Sequence, residues 1–321
     1  MGTSEKKKEL GLWSLTSLVF GNMVGSGTFM LPAALASYGS IGLLGWSFTA
    51  LGAVILALVF SRLSRVYPKS GGPYAYCRHA YGDFIGFQIA YCYWIACWVG
   101  NAAIIIALVG SLAYFFPVLA EKEVAILCSL GVLWAITAVN VLGVRQASIV
   151  QIVTSVMKFI PLLFISVVGV FYIDFDFFSD FNVSGQSDFS AFVAASALTL
   201  WSFIGLESAT VPAGEAKNPK RNIPLATILG TLAAALVYLL STAVIMGVVP
   251  MGELAQSKAP FVMAAQQIFG HWGAEFIAVV SVVAILGTLN GWVLMQAQMP
   301  MAAAKDNLFP KLFCRLGSRG T

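Results

Sequence analysis

Two short stretches of this sequence place glycine and polar residues inside apolar surroundings, where they can bind charged groups. The first, GSGTFMLP, covers residues 25–32, and the second, GLESATVP, covers residues 205–212. In each, a glycine opens the polar run and a proline follows seven residues later. A helix interrupted there leaves free N–H groups, which suit a carboxylate, and free carbonyls, which suit an ammonium. We therefore predict a helix break at both stretches and one binding site built from the two.

Close helix packing is the alternative for the first stretch, because Gly21 and Gly25 form a pair of small residues four positions apart. The matched second stretch argues against packing alone, since it contains Glu207. An ionisable residue within a membrane segment is costly and is a functional candidate by default. Glu207 could take up a proton, pair with a cationic substrate, or only hydrogen-bond to the neighbouring broken helix.

A third stretch, YCYWIACWVGN at residues 91–101, is rich in aromatic and small residues. Tyr93, Cys97 and Asn101 are spaced i, i+4 and i+8, which predicts one helical face that lines a path. Aromatic packing at a small-residue interface is the alternative. Trp201 and Trp292 lie away from predicted span ends, and an indole there can cover a substrate or stack on a guanidinium.

Lys158 lies inside a predicted span, in VMKFIPLL. Its ammonium could extend to the membrane surface, as long basic side chains often do. It could instead stand in place of a coupling cation beside the first break, where a buried lysine is suited to proton exchange.

The composition identifies a polytopic membrane protein. Of the 321 residues, 59% are hydrophobic and only 10% are charged, and the mean hydropathy is +0.86. A soluble domain is about 25% charged. Two histidines and five scattered cysteines give no metal-ligand spacing, and there is no nucleophile–base pair. We expect no metal, no cofactor, no enzymatic activity and no nucleic-acid partner.

Hydropathy predicts eight membrane spans of about 20 residues or more. They cover residues 11–36, 42–63, 84–116, 124–143, 150–173, 189–213, 224–249 and 274–302. Segments with net positive charge alternate with neutral or acidic ones, from Lys6, Lys7 and Lys8 at one end to Lys305, Lys311, Arg315 and Arg319 at the other. The positive-inside rule then predicts a cytoplasmic N-terminus.

The motifs GNMVGSGTFMLPA, SGGPYAY, YCYWIACWVGN, LTLWSFIGLESA and KNPKRNIP together resemble the amino acid–polyamine–organocation superfamily. Within it, they are most similar to the bacterial basic amino acid/polyamine antiporters. The resemblance implies an all-α, LeuT-type fold of twelve spans, a five-plus-five inverted repeat with spans one and six broken. The chain is then one transporter domain, residues 1–321, that covers eight spans and is truncated at its C-terminus. Residues 11–173 form the first repeat and residues 189–321 part of the second.

The resemblance also implies roles for individual residues. Ser26 and Gly27 would bind the substrate carboxylate, and backbone carbonyls of Met23, Trp201 and Ile204 would bind the α-ammonium. The distal cationic group would meet the residues Ala96, Cys97, Asn101 and Trp292, the last by stacking.

A second set of residues would gate the site. Tyr93 and Glu207 would close it toward the cytoplasm, Trp201 would shield it from outside, and Tyr74 resembles a pH-sensing position. Three departures from the family pattern bear on substrate and coupling: Ile104 in place of a methionine, Asn290 in place of a glycine, and Lys158, which resembles the lysine of proton-coupled relatives.

The implied function is exchange of an external cationic amino acid for its decarboxylated amine in a bacterial inner membrane, with arginine for agmatine as the leading pair. Such exchange supports acid resistance. The alternatives are a proton-coupled symporter that uses Lys158 and an exchanger of ornithine/putrescine or lysine/cadaverine type. A receptor or scaffold built on the same fold is a further one. The implied partners are small basic substrates, the lipid bilayer and a second copy in a homodimer.

Overall fold

The computed structural model describes residues 9–314. In that range all regular elements are helical, apart from one isolated bridge between Leu10 and Ala216. The α-helices are α1 (Leu12–Met23), α2 (Ser26–Ala36), α3 (Ile41–Val66), α4 (Pro73–Tyr81), α5 (Asp83–Leu112), α6 (Lys122–Val141), α7 (Val144–Gly169), α8 (Asp188–Leu200), α9 (Pro219–Val248), α10 (Met251–Ala255), α11 (Pro260–Phe269) and α12 (His271–Lys305). Short 3-10 turns join several of them.

The predicted membrane fold is confirmed. Seven helical segments of the described range are long and apolar enough to cross a membrane, and the α1–α2 pair makes an eighth if it is one bent span. The segments match the predicted ranges to within four residues, except that the fifth starts six residues earlier, at Val144, and the seventh five residues earlier, at Pro219. The third is shorter than predicted: α5 ends at Leu112 rather than at 116, because the chain turns before Pro117, which disfavours a helical residue in front of it. The five-plus-five repeat remains a prediction.

The helices differ strongly in burial, and this places the site. In the most apolar 18-residue stretch of α12, 78% of the residues are buried, whereas in the corresponding stretch of α6 none are buried. Helix α12 packs along α5 and α7, while α1 packs against α9, α7 and α12. The broken α1–α2 span therefore lies in the middle of the bundle, where its free backbone groups meet side chains instead of lipid.

The charges that predict the orientation lie partly outside the described range. Lys6, Lys7, Lys8, Arg315 and Arg319 belong to the undescribed ends of the chain. The cytoplasmic N-terminus therefore remains a prediction.

Candidate functional site

The first predicted break is present at Val24 and Gly25. Helix α1 ends at Met23, Val24 is extended with ψ 94°, and α2 starts at Ser26. A Cβ atom on Gly25 would lie 2.6 Å from Oγ1 of Thr288, so only glycine lets the break approach α12 this closely. In the first turn of α2 the Thr28 N–H donates to the Gly25 carbonyl at 3.1 Å, which leaves the N–H groups of Ser26 and Gly27 at the helix start without an intrahelical acceptor.

Lys158 and Thr288 bind the carbonyl groups that α1 leaves free. The Lys158 ammonium donates to the carbonyl oxygens of Gly21 at 2.8 Å and Val24 at 2.5 Å. The Thr288 hydroxyl lies 2.8 and 3.0 Å from the same two oxygens. Lys158 is completely buried. The structure thus contradicts the surface-extended alternative and places the ammonium at the end of α1, where the helix dipole is negative.

The second predicted break follows α8. A 3-10 turn at Trp201–Phe203 leads to Gly205, whose φ of 112° strongly favours glycine. The chain continues in 3-10 turns at Ser208–Thr210 and Ala213–Glu215 instead of resuming an α-helix. Backbone groups in this segment therefore lack regular α-helical partners over a longer stretch than at the first break.

The two breaks touch each other. The Asn22 amide donates to the Ser208 hydroxyl at 2.8 Å, and a Cβ on Gly205 would lie 3.0 Å from the Asn22 Cβ. The amide oxygen of Asn22 is buried and has no partner among the described groups. The sequence predicted the meeting of the breaks but not the role of Asn22.

Glu207 is buried at the second break, and both of its oxygens are hydrogen-bonded. Tyr93 donates its hydroxyl to one at 2.8 Å, and the Gly205 N–H donates to the other at 3.1 Å. Glu207 thus joins α5 to the second break, which is the contact expected of a gate and also of a structural hydrogen bond.

A cavity of about 190 Å³ lies between the breaks. Seven of the predicted residues line it: Met23, Gly27, Tyr93, Ala96, Trp201, Ile204 and Trp292. Further lining residues, which the sequence did not single out for binding, include Asn22, Gly100, Ala103, Ser202 and Thr288. No side chain with a formal charge is among the described lining residues. A cation bound there would be held by carbonyl oxygens and by aromatic faces.

Three aromatic side chains surround this cavity. The Tyr93 and Trp292 ring centroids are 6.4 Å apart, and the Trp292 indole N–H donates to the Asn22 carbonyl at 3.2 Å. A Cβ on Gly27 would lie 3.2 Å from Cδ1 of Trp201, so that indole lies against the first turn of α2.

Cys97 and Asn101 do not line this cavity, which corrects the predicted common face. Four residues turn a helix by 400°, so each i+4 step rotates about 40° and Asn101 lies about 80° round from Tyr93. The cavity wall follows Ala96, Gly100 and Ile104 instead. Asn101 lines a second cavity and donates to Gln296 at 2.7 Å, while Cys97 is buried.

Tyr74 and Asn290 are not among the residues that line the cavity. Tyr74 is in α4, where it donates to Asp306 at 2.9 Å. Ser26 starts α2, and its side chain lies outside the described part of the structure. Asn290 is fully buried and donates to the Ala147 carbonyl and to Gln151, so it braces α12 against α7 and does not form a pocket floor.

Thr288 was missed from the sequence, although a signal was present. It precedes Trp292 by four residues on α12, and residues at that spacing share a helical face.

Comparison with known proteins gives consistent matches along the whole described chain. A family model described as amino acid permease matches residues 10–321. The cadaverine/lysine antiporter of Escherichia coli (strain K12) is 39% identical over 314 residues, which is 98% of this chain and 70% of that protein. The arginine/ornithine antiporter of Pseudomonas aeruginosa is 34% identical over 325 residues, 98% of this chain and 67% of that protein. The putrescine transporter PotE of Escherichia coli (strain K12) is 36% identical over 312 residues, which is 97% of this chain and 71% of that protein.

Proposed function

Because this chain belongs to the amino acid permease family, we propose that it exchanges an external cationic amino acid for the amine formed by its decarboxylation. It works by alternating access in a bacterial cytoplasmic membrane, as a homodimer with a cytoplasmic N-terminus. The names of three relatives support the substrate class, since each refers to a basic amino acid or a diamine.

The observation that carries this proposal is the uncharged, aromatic cavity between two helix breaks. The N–H groups of Ser26 and Gly27 open α2 and suit the substrate carboxylate. The α-ammonium fits the carbonyls of Met23, Trp201 and Ile204. The Trp201 carbonyl already accepts from the Ile204 N–H at 3.2 Å, but it retains a second lone pair.

The distal cation of the substrate fits the aromatic end of the cavity. Trp292 and Tyr93 offer π-faces, and such contacts contribute about 0.5–2 kcal/mol. A diamine or agmatine lacks the carboxylate and depends more on this end. Tyr93 and Glu207 then act as the gate toward the cytoplasm, a role supported by the hydrogen bond that joins α5 to the second break.

Arginine and agmatine are the leading pair, since a planar guanidinium can stack on an indole whereas an ammonium is a compact point charge. Lysine with cadaverine and ornithine with putrescine are the alternatives. The amine carries more positive charge than the amino acid, so each cycle exports about one net charge. Coupled to a cytoplasmic decarboxylase, which consumes a proton, the exchange supports acid resistance.

A second candidate function is proton-coupled amino acid symport, which is favoured by the contacts of Lys158. Its ammonium holds the end of α1 through two carbonyl oxygens. Loss of its proton would weaken both hydrogen bonds at the break and so link protonation to the shape of the site. Lys158→Ala should abolish symport but leave an exchanger largely active.

Reconstituted vesicles distinguish these functions. Uptake of labelled arginine, lysine and ornithine is measured into vesicles loaded with agmatine, cadaverine, putrescine or nothing. The exchanger requires an internal substrate, and the preferred pair gives the fastest uptake. Robust uptake into empty vesicles under a pH gradient supports symport instead. No uptake under any condition, together with no binding of the six compounds, refutes both.

A further inference from the structure

Helix α4 joins two parts of the bundle that line the transport path. The loop before it is bound to the segment after the second break: the Gly71 N–H donates to the Val211 carbonyl at 2.9 Å, and the Gly214 N–H donates to the Ser70 hydroxyl at 2.8 Å. From α4 itself, Tyr74 reaches Asp306 at the end of α12. Helix α4 therefore lies where the second break and α12 would have to separate.

One carboxylate oxygen of Asp306 accepts from two donors of α4. The Tyr74 hydroxyl lies 2.9 Å from Oδ2, and Nη1 of Arg78 lies 2.6 Å from the same atom. Burial and the nearby carboxylate raise the pKa of Tyr74 above its ordinary value, so the phenol stays a donor at neutral pH. Arg78 also contacts Asp83 at 2.6 Å, which ties α4 to the first residue of α5.

These contacts lie on helices that also line the cavity. Helix α5 carries Tyr93, and α12 carries Trp292, which is about 21 Å from Asp306 along the helix axis. The pair is also only partly covered: the side chain of Arg78 is 29% exposed and that of Asp306 43%. A partly exposed ion pair can open without leaving a buried charge unpaired, which suits a contact that forms and breaks in each cycle.

We propose that Arg78, Tyr74 and Asp306 form a latch that holds the α4 side of the transport path closed. Its release precedes separation of Tyr93 from Glu207. Arg78 and Asp306 are positioning residues, since they act on the gate and do not line the cavity. The inference rests on the proposed alternating-access exchange, and it names the part of the chain that regulates access to that same site.

The test measures access to the cavity directly. A cysteine replaces Ala96, which lines the cavity, in a background without the five native cysteines. Its reaction with a membrane-impermeant thiol reagent is followed from each side of the vesicle. Asp306→Asn should raise the rate at which the reagent labels this cysteine from the α4 side about tenfold. That is the size expected for one lost charge-assisted contact. Asp180→Asn, an exposed aspartate outside the latch, is the matched control.

Transport constants provide the second measurement. Because release shifts the carrier toward the state open on the α4 side, the apparent KM should fall for substrate on that side and rise on the other. Arg78→Gln should act like Asp306→Asn. The charge swap Arg78→Asp with Asp306→Arg should restore part of the wild-type difference between the apparent KM values on the two sides. Tyr74→Phe removes only the hydroxyl and should shift both readouts in the same direction, with a folded protein.

Each outcome bears on the inference. Unchanged labelling in Asp306→Asn and Tyr74→Phe overturns the latch, as does an equal loss of transport from both sides without rescue by the swap. If wild type shows no exchange but labelling shifts as expected, the latch stands and the proposed function fails. If Asp306→Asn does not fold, Tyr74→Phe alone decides.

Discussion

The sharing of two backbone carbonyls by Lys158 and Thr288 makes a quantitative prediction about the first break. Lys158 donates to Gly21 and Val24 at the same time, since an ammonium has three hydrogens. The Thr288 hydroxyl lies within hydrogen-bonding distance of both oxygens but has one hydrogen, so it can satisfy only one of them.

The expected free energies follow from counting unpaired carbonyls. Thr288→Val leaves both oxygens bound to Lys158 and should cost less than about 1 kcal/mol of stability. Lys158→Met leaves one oxygen unpaired, at about 1–3 kcal/mol, from which relief of burying an ammonium must be subtracted. The double variant leaves both unpaired, so its destabilisation should exceed the sum of the single effects by about 1–3 kcal/mol.

Unfolding in detergent, followed for the four members of the cycle, measures this coupling. A matched cycle of Lys158→Met with Thr227→Val, a buried threonine on α9, should be additive within about 0.5 kcal/mol. Additivity of the Lys158 and Thr288 effects would refute the shared-carbonyl account.

Three further predictions concern the cavity and its gate. Trp292→Leu should weaken binding of cationic substrates by about 2- to 30-fold and of neutral amino acids less; equal loss for both, measured by equilibrium binding, contradicts stacking. Glu207→Gln places an amide NH₂ against one of two donors, the Tyr93 hydroxyl or the Gly205 N–H. It also removes the ionisable carboxyl, so the pH dependence of exchange should change. An identical pH profile would show that Glu207 is not linked to proton uptake. At Gly100 a Cβ would meet nothing within 4 Å, so Gly100→Ala should bind nearly normally whereas Gly100→Leu should fill the cavity and abolish binding; equal affinity of the two variants would place the substrate elsewhere.

The membrane spans and both helix breaks could be predicted from the sequence because their signals are local. Long apolar runs define the spans, and the polar run beginning at Gly205 needs only its own residues to be recognised. The conformation after the second break was not accessible in this way. Its 3-10 turns depend on tertiary contacts, such as the one from Asn22 to Ser208.

Spacing alone misjudged which side of α5 faces the cavity. The i, i+4, i+8 pattern of Tyr93, Cys97 and Asn101 drifts round the helix, and only packing against α12 decides which part of that arc is open. The partners of Lys158 and Tyr74 lie more than a hundred residues away. The sequence offered Lys158 beside the first break only as one of two alternatives, and it held no signal for the contact between Tyr74 and Asp306, because only the folded chain brings those residues together.

The ammonium of Lys158 has a consequence for the energy source of transport. It is covalently attached and occupies the point where the carbonyls of Gly21 and Val24 and the hydroxyl of Thr288 converge. An oxygen-lined position already filled by a tethered positive charge repels a sodium ion. Flux should therefore be the same when choline replaces sodium in the bathing solution. A carrier of this kind keeps its rate in sodium-poor surroundings.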